Sequence, residues 1–456
     1  MDNCAAMTKE VPAITQLIAE FVYATEWADL PDEVRHEAKR ALINYFAVAF
    51  AGCKDSDIDT AMTLLKSLHP GGRGGVVGRS EALGMLDAAA LNAMSANVYD
   101  YDDTHIPTII HPTGPVASAL VALAEETIVS GEQLLLALVL GMEIECRLGN
   151  ALHPWHYQRG WHITSTCGIF GAALAAGKAI GLDVRQLAWA IGNASAQASG
   201  LVETLGSAAK SLSVGNSSRN GLLSALLAQR GFAGPEHPLE GARGFLRVMG
   251  DSPKFDELTH ELGSSWAVLA NTYKPYPCGV VLNPVIEACI ALRADKSWTY
   301  GQVCRVELIG NPLLRERTDR PHIKLGRESQ VSAQHAVAVT LATGMAGLDQ
   351  FSDAAVADPV LRAMYPLVDF YDDPDCSVES ATVRILLDTG RYLEHRVASA
   401  KGGLMAPLSD SDLVEKLNIL AKRSGSTINI EALVEAIWSL DRSEDAGAVM
   451  TLATEK

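Results

Sequence analysis

The feature that most constrains this chain is a succession of apolar stretches at helical spacing, many built from alanine and glycine, through its first two thirds. Val11, Ile14, Leu17, Ile18, Phe21 and Val22 repeat with the period of one helix face. Leu30-Pro31-Asp32-Glu33 follows, with proline near a helix start and acids where the helix dipole favours them. Val34, Ala38, Ala41, Leu42 and Tyr45 continue that stripe toward a stop at Gly52. Further helices are predicted over 86–96, 115–126, 132–148, 163–180, 184–198 and 216–230. Small-residue runs such as Gly168-Ile169-Phe170-Gly171-Ala172-Ala173 let helices approach closely, which points to a compact all-helical core.

The texture changes near residue 270. A strand is predicted over 303–309, and two more over 381–387 and 392–398 flank the hairpin signal Asp388-Thr389-Gly390. Between them lie a helix over 333–344 and an acidic stretch over 353–375; helices resume after Gly402-Gly403 at 411–421 and 430–440. The expected fold class is therefore mainly α. A large all-helical domain is built from both chain ends, residues 1–268 and 402–456, with a smaller α+β domain inserted over 269–401. Such an insertion creates a cleft against the larger core, where small-molecule sites often lie.

Composition narrows the function. The 456 residues are 48% hydrophobic and 20% charged, enough apolar material for a sizeable core. Lys+Arg total 37 against Asp+Glu 54, a formal charge of −17. That argues against nucleic acid as a partner, since such binding neutralises phosphates with basic residues. A small anionic substrate needs only a few local cations. No stretch reaches the roughly 18 apolar residues of a membrane span, and Met1-Asp2-Asn3-Cys4 does not open a secretory signal pattern. The eight cysteines are scattered without Cys-x-x-Cys, so reduced thiols and a cytoplasmic location are expected.

Four segments could carry chemistry. Asp100-Tyr101-Asp102-Asp103-Thr104-His105 and His111-Pro112-Thr113-Gly114-Pro115 gather carboxylates and imidazoles between two helices. Close carboxylates perturb one another's pKa, and histidine titrates near neutrality; a metal site, or a plain turn and N-cap cluster, fits the same residues. Arg159-Gly160-Trp161-His162 leads into a helix whose free N–H groups suit an anion, or is simply a capped helix with a packed tryptophan. The small-residue loop over 206–216 presents Lys210, which would reach a carboxylate or face solvent. Tyr273-Lys274-Pro275-Tyr276-Pro277-Cys278-Gly279 uses two prolines to stiffen the backbone around Lys274 at the cleft's edge; a rigid linker explains it equally. Walker, Gly-x-Gly-x-x-Gly and Gly-x-Ser-x-Gly patterns are absent, the cysteine spacing does not suggest an iron–sulfur cluster, and Cys278 lacks the surroundings of a reactive thiol.

Taken in order, these segments, together with Gly231-Phe232-Ala233-Gly234-Pro235 and Ser332-Ala333-Gln334-His335-Ala336-Val337-Ala338, resemble the MmgE/PrpD family over most of the chain. That family includes 2-methylcitrate dehydratase, cis-aconitate decarboxylase and iminodisuccinate epimerase. The resemblance implies a helical domain from both chain ends, a smaller lid domain, usually a homodimer, and chemistry on small polycarboxylic acids with no cofactor and no metal. It implies that Asp100, Thr104, His111, His162, Lys210 and Lys274 face the substrate. Two positions depart from relatives: His335 replaces a tyrosine in the lid helix, and Asn283 stands where many have histidine.

The expected activity is that of a lyase. Lys210, Lys274, His162 and, on lid closure, His335 would bind substrate carboxylates. His111 would transfer a proton, oriented by Asp100, with Thr104 positioning the substrate. Decarboxylation of an aconitate leads, with dehydration of a methylcitrate close behind. Epimerisation of an amino-dicarboxylate such as iminodisuccinate is the alternative. A non-catalytic binding protein on the same fold and a metal-dependent hydrolase using Asp100, Asp102, Asp103, His105 and His111 are the rivals from other classes; activity after exhaustive chelation separates the last.

Overall fold

The computed structural model describes residues 13–455, so Val11 and the Met1–Cys4 stretch lie outside the described residues. The protein is mostly helical with small sheets. The helices used below are α1 Ile14–Ala24, α2 Asp32–Gly52, α3 Met85–Asn97, α4 Thr113–Ala124, α5 Gly131–Leu152, α6 Ile163–Ala179, α7 Val184–Ser195, α8 Ala208–Gln229, α9 Asn283–Ala294, α10 Ala333–Thr343, α11 Asp410–Arg423 and α12 Ile430–Trp438. Local chemistry sets several starts. Ser130 with Gln133, Asp183 with Gln186, and Ser409 with Asp412 form reciprocal capping boxes ahead of α5, α7 and α11.

Helices α3, α4 and α6 are buried on nearly every face, consistent with their lack of a polar stripe. Their small residues are a packing requirement. A Cβ on Gly141 of α5 would stand 2.7 Å from the carbonyl oxygen of Gly171 on α6, and one on Gly171 would stand 2.9 Å from that of Gly141. The two backbones touch there, and any side chain would force them apart.

The strands used below are β1 Asp103–His105, β2 Asn271–Tyr273, β3 Val303–Gly310, β4 Val368–Asp372, β5 Ala381–Leu387 and β6 Tyr392–Val397. A four-stranded sheet has the order β4-β3-β5-β6. Strand β3 runs parallel to β4 and antiparallel to β5, with Leu308 facing Phe370 and Val383. The hairpin β5–β6 forms as expected. Strand β4 was not expected: it sits inside the acidic stretch, where Asp369 and Asp372 turn to the edge and pair with Arg305 and Arg315. A second correction concerns 206–216. Gly206, at φ +82°, makes a turn, but Ala208 already begins α8, so Lys210 lies in a first helical turn and not in a loop. Ala208 and Ala209 are strong helix formers, which outweighs the serines and Gly215 that follow.

Buried apolar side chains fall into two clusters. One gathers residues from Ile14 to Tyr273, Leu348, and the C-terminal run from Leu408 to Ala453; the other spans Cys278 to Ala400. The short antiparallel pair β1–β2 sits on the first cluster beside this boundary. It sets Asp103 opposite Tyr273, Thr104 opposite Thr272 and His105 opposite Asn271.

Candidate active site

The β1–β2 pairing joins two of the four expected segments directly: Thr272 donates its hydroxyl to the Thr104 carbonyl at 2.8 Å, and the Asn271 amide donates to Asp103 Oδ2 at 2.7 Å. Lys274 follows β2 immediately. The start of α8 brings Lys210, and His162 caps the start of α6. Asp100, Thr104, His111, His162, Lys210 and Lys274 all line one cavity of about 230 Å³. Six residues from four separated stretches thus meet in one crevice.

Asp100 is the hub. It adopts φ +51°, a left-handed conformation uncommon outside glycine but least costly for aspartate and asparagine. Lys210 Nζ donates to its Oδ1 at 2.6 Å. Lys274 Nζ lies 3.2 Å from Oδ2 and donates to the Asp100 carbonyl at 3.0 Å. Burial alone would raise the Asp100 carboxyl, but the two ammoniums together outweigh it and hold it well below the usual carboxylate range. Burial pushes Lys210 down, but Asp100 and Asp102 together outweigh it, and the group ends above the ordinary lysine value. Asp102 lies behind: Asn97 donates to its Oδ2 at 2.6 Å, Lys274 is 3.8 Å from Oδ1, and Oδ1 has no hydrogen-bond partner among the described residues.

The imidazoles are oriented by neighbours that fix their tautomers. His111 Nδ1 lies 2.6 Å from the Asp103 carbonyl oxygen, which can only accept, so the ring proton sits on Nδ1. Nε2 is left as a bare acceptor, 3.8 Å from Asp100 Oδ1. This corrects the expectation that Asp100 orients His111: the backbone of Asp103 does so, and Thr104 Oγ1 stands 3.2 Å from the same nitrogen. For His162, Ser213 donates to the Lys210 carbonyl at 2.7 Å, which leaves Ser213 to accept from Ser165 at 2.7 Å and Ser165 to accept from His162 Nδ1 at 2.6 Å. Burial lowers both rings below the usual histidine range, and the Lys210 ammonium adds to this at His162. Asp103, buried against Thr113 and Asn271, is pushed up to about 6 by desolvation.

His335 does not join them. It is fully buried in the second cluster and absent from the cavity lining, with Nδ1 2.8 Å from the Tyr365 hydroxyl and Nε2 2.7 Å from the Gln350 carbonyl oxygen. Both ring nitrogens are occupied by the protein, which removes its expected contact with substrate. Asn283 is also buried outside the lining, its Oδ1 facing Cys278 Sγ at 3.7 Å. Burial drives the Cys278 thiol upward, away from reactivity. The cysteines among the described residues are all free thiols.

Asp100, Asp102 and His111 could in principle hold a cation, since one atom from each lies within 4.8 Å of the others. Two ammoniums already sit against these carboxylates, and a divalent cation placed between them would meet like charge at close range.

Sequence reasoning missed several residues. Arg317, Arg320 and Arg327 line the cavity from the side of the second cluster, and Tyr157 lines it from the first. Their only signal was position in a charge-rich stretch, which reads as a solvated surface. Lys416 of α11 was missed as well. It is 7% exposed and donates to Asn44 Oδ1 at 2.8 Å, the Tyr101 carbonyl at 2.9 Å and the Lys274 carbonyl at 2.9 Å. Burial works against its charge, yet all three of its protons find acceptors. It ties the Asp100 loop to the Lys274 segment from behind.

Comparison with known proteins adds a second line of argument. The MmgE/PrpD N-terminal domain matches residues 16–258, and the MmgE/PrpD C-terminal domain matches residues 276–441. The chain is 26% identical to the cis-aconitate decarboxylase-like protein oryM of Aspergillus oryzae, over 96% of this chain and 97% of that one. It is 25% identical to the cis-aconitate decarboxylase of Aspergillus terreus, covering 99% and 98%. It is also 25% identical to the cis-aconitate decarboxylase of Homo sapiens, covering 96% and 94%.

Proposed function

The chain belongs to the MmgE/PrpD family, and from that premise we propose that it is a carbon lyase acting without a cofactor on a small tricarboxylic acid, with aconitate decarboxylation the leading reaction. The observation that carries the reading is the convergence of Asp100, Thr104, His111, His162, Lys210 and Lys274 on one cavity. The decarboxylases among its relatives support that choice.

The mechanism follows from the charge and tautomer arrangement. Loss of CO2 breaks the carbon–carbon bond to one carboxylate and leaves the electron pair on a carbon conjugated to another. The Lys210 and Lys274 ammoniums stabilise that developing charge in a partly dry site, where such interactions exceed their strength in water. The carbon then needs a proton. His111 rests neutral with Nε2 bare; a polycarboxylate beside it raises the ring's affinity for a proton, so the proton arrives with the substrate and passes from Nε2 to carbon. Each turnover consumes one proton and releases one CO2. Thr104 positions the substrate and His162 accepts or shares a proton with a second carboxylate. The same bare Nε2 favours a second reading: as a resting base it could abstract a proton and start dehydration of a methylcitrate, or inversion of an amino-dicarboxylate.

We also propose that residues 269–401 act as a lid on the helical part built from 1–268 and 402–456, and that the protein works as a homodimer in the cytoplasm, as the family resemblance implies. Incubation with cis-aconitate, trans-aconitate, 2-methylcitrate and iminodisuccinate, followed by NMR, tests the reading. CO2 loss from cis-aconitate is expected; no change in any of the four overturns it.

A further inference from the structure

The two lysines on the floor of the cavity are already paired. Asp100 and Asp102 face Lys210 and Lys274, so the formal charges of these four groups cancel. His162 and His111 are buried and their pKa values lowered. A polyanion reaching this floor therefore meets little net positive charge, although the whole protein is strongly negative.

The opposite wall differs. Arg317, in the last turn of the helix Pro312–Thr318, and Arg320, just beyond it, line the same cavity. Neither has a carboxylate within 4.0 Å among the described residues. The Arg317 guanidinium carbon lies 5.2 Å from the centroid of the Tyr157 ring, itself a lining residue, which orients the head without neutralising it. Arg327 is the contrast: it lines the cavity but is held by Asp55 at 2.5 Å and Asp57 at 2.8 Å. Glu316 also lines this wall, so Glu316, Arg317 and Arg320 together carry one formal positive charge.

We propose that Arg317 and Arg320 form the subsite for the substrate carboxylate farthest from the reacting carbon, and that they select tricarboxylates over dicarboxylates. The inference rests on the polycarboxylate reading above and deepens it. A guanidinium presents a planar fork that matches a carboxylate in two parallel hydrogen bonds. The floor then handles the carboxylates next to the bond that breaks, while the arginine wall holds the remote one. Because the remote group does not change during reaction, its loss affects ground and transition states alike.

The test uses the full-length protein and the variant Arg317→Gln/Arg320→Gln. Calorimetry measures binding of tricarballylate and of 2-methylsuccinate, which lacks one terminal carboxylate; kinetics use cis-aconitate. Charge-assisted hydrogen bonds of about 1.5–3 kcal/mol translate into a roughly 10–100-fold weaker tricarballylate affinity. KM for cis-aconitate should rise by a similar factor with kcat within about threefold, and 2-methylsuccinate affinity should change by less than about threefold. Unchanged tricarballylate affinity, or an equal loss for both acids, overturns the subsite. If the double variant does not fold, Arg320→Gln at its exposed position serves for the same comparison. Wild-type binding of tricarballylate that depends on the arginines, with no turnover of any polycarboxylate, keeps the subsite and removes the lyase reading. Turnover of cis-aconitate with KM unchanged in the variant does the reverse.

Discussion

On the floor of the cavity, Lys210 and Lys274 are 7% and 2% exposed and close on Asp100, whose backbone is bent into a left-handed turn to receive them. On the facing wall, Arg320 is exposed and Arg317 half-buried, and neither closes on an acid among the described residues. The floor is a network of paired charges, each of which would be costly to leave unpaired. Arg317 and Arg320 carry charge that no acid among the described residues offsets. On the proposed mechanism, charges that serve the chemistry are separated from charges that recognise a substrate, and substitutions on the two sides should fail in different ways.

The largest difference should be in turnover. His111→Ala should lower kcat by about 10²–10⁴-fold, the usual contribution of a positioned acid or base, with an unchanged circular dichroism spectrum. Near wild-type turnover would remove His111 from the mechanism. Stability should divide the two sides next. Asp100→Asn keeps a residue tolerant of the left-handed turn but removes the partner of two buried ammoniums, and should cost about 3–5 kcal/mol in urea unfolding. Arg320→Gln on the wall should change the same unfolding free energy by less than about 0.5 kcal/mol. Equal effects would erase the contrast. Lys416→Met, which fits the buried volume but leaves the Tyr101 and Lys274 carbonyls unpartnered, should cost about 2–3 kcal/mol and reduce kcat together with stability. A loss of stability with kcat intact would show that Lys416 does not position Lys274.

The smallest effect is a pH slope. Burial lowers His105, behind the floor, to about 4. Its folded pKa is below the unfolded value of about 6.5, so its stabilising contribution is complete above pH 6.5 and falls away as pH drops toward 4. Between those limits the unfolded chain binds a proton that the native chain refuses. His105→Gln should therefore flatten the dependence of unfolding free energy on pH between 5 and 6.5 by up to about 1.4 kcal/mol per pH unit. An identical slope in wild type and variant would mean His105 titrates normally in the folded protein.

The contrast also explains what the sequence could reveal. Asp100, Thr104 and His111 stand close together along the chain, and His162, Lys210 and Lys274 lie in short segments that each allowed a purely structural reading, so it was the resemblance to the MmgE/PrpD family that named all six before their convergence was known. The helices were legible because alanine, glycine and apolar spacing act locally. Arg317 and Arg320 were not, because an arginine among charged neighbours carries the same pattern whether it faces water or a cavity. Lys416 was missed for the opposite reason: in an amphipathic helix its spacing gives no sign that Asn44 and two carbonyls from distant segments surround it. Strand β4 was hidden by its aspartates, which only the pairing with Arg305 and Arg315 makes tolerable. His335 misled because a recognisable motif does not specify which way an imidazole turns.

The pairing of β1 with β2 also governs when the molecule can become competent. Thr104 and Thr272 are 168 positions apart, and the contact from Lys416 to the Lys274 carbonyl spans a further 142. Contacts of such long range form after local helices, since the intervening chain must first be brought together. During synthesis the floor cannot assemble until the ribosome has passed Lys274, and it lacks its rear support until α11 emerges. A nascent chain that has not yet reached α11 would hold helices but no supported crevice.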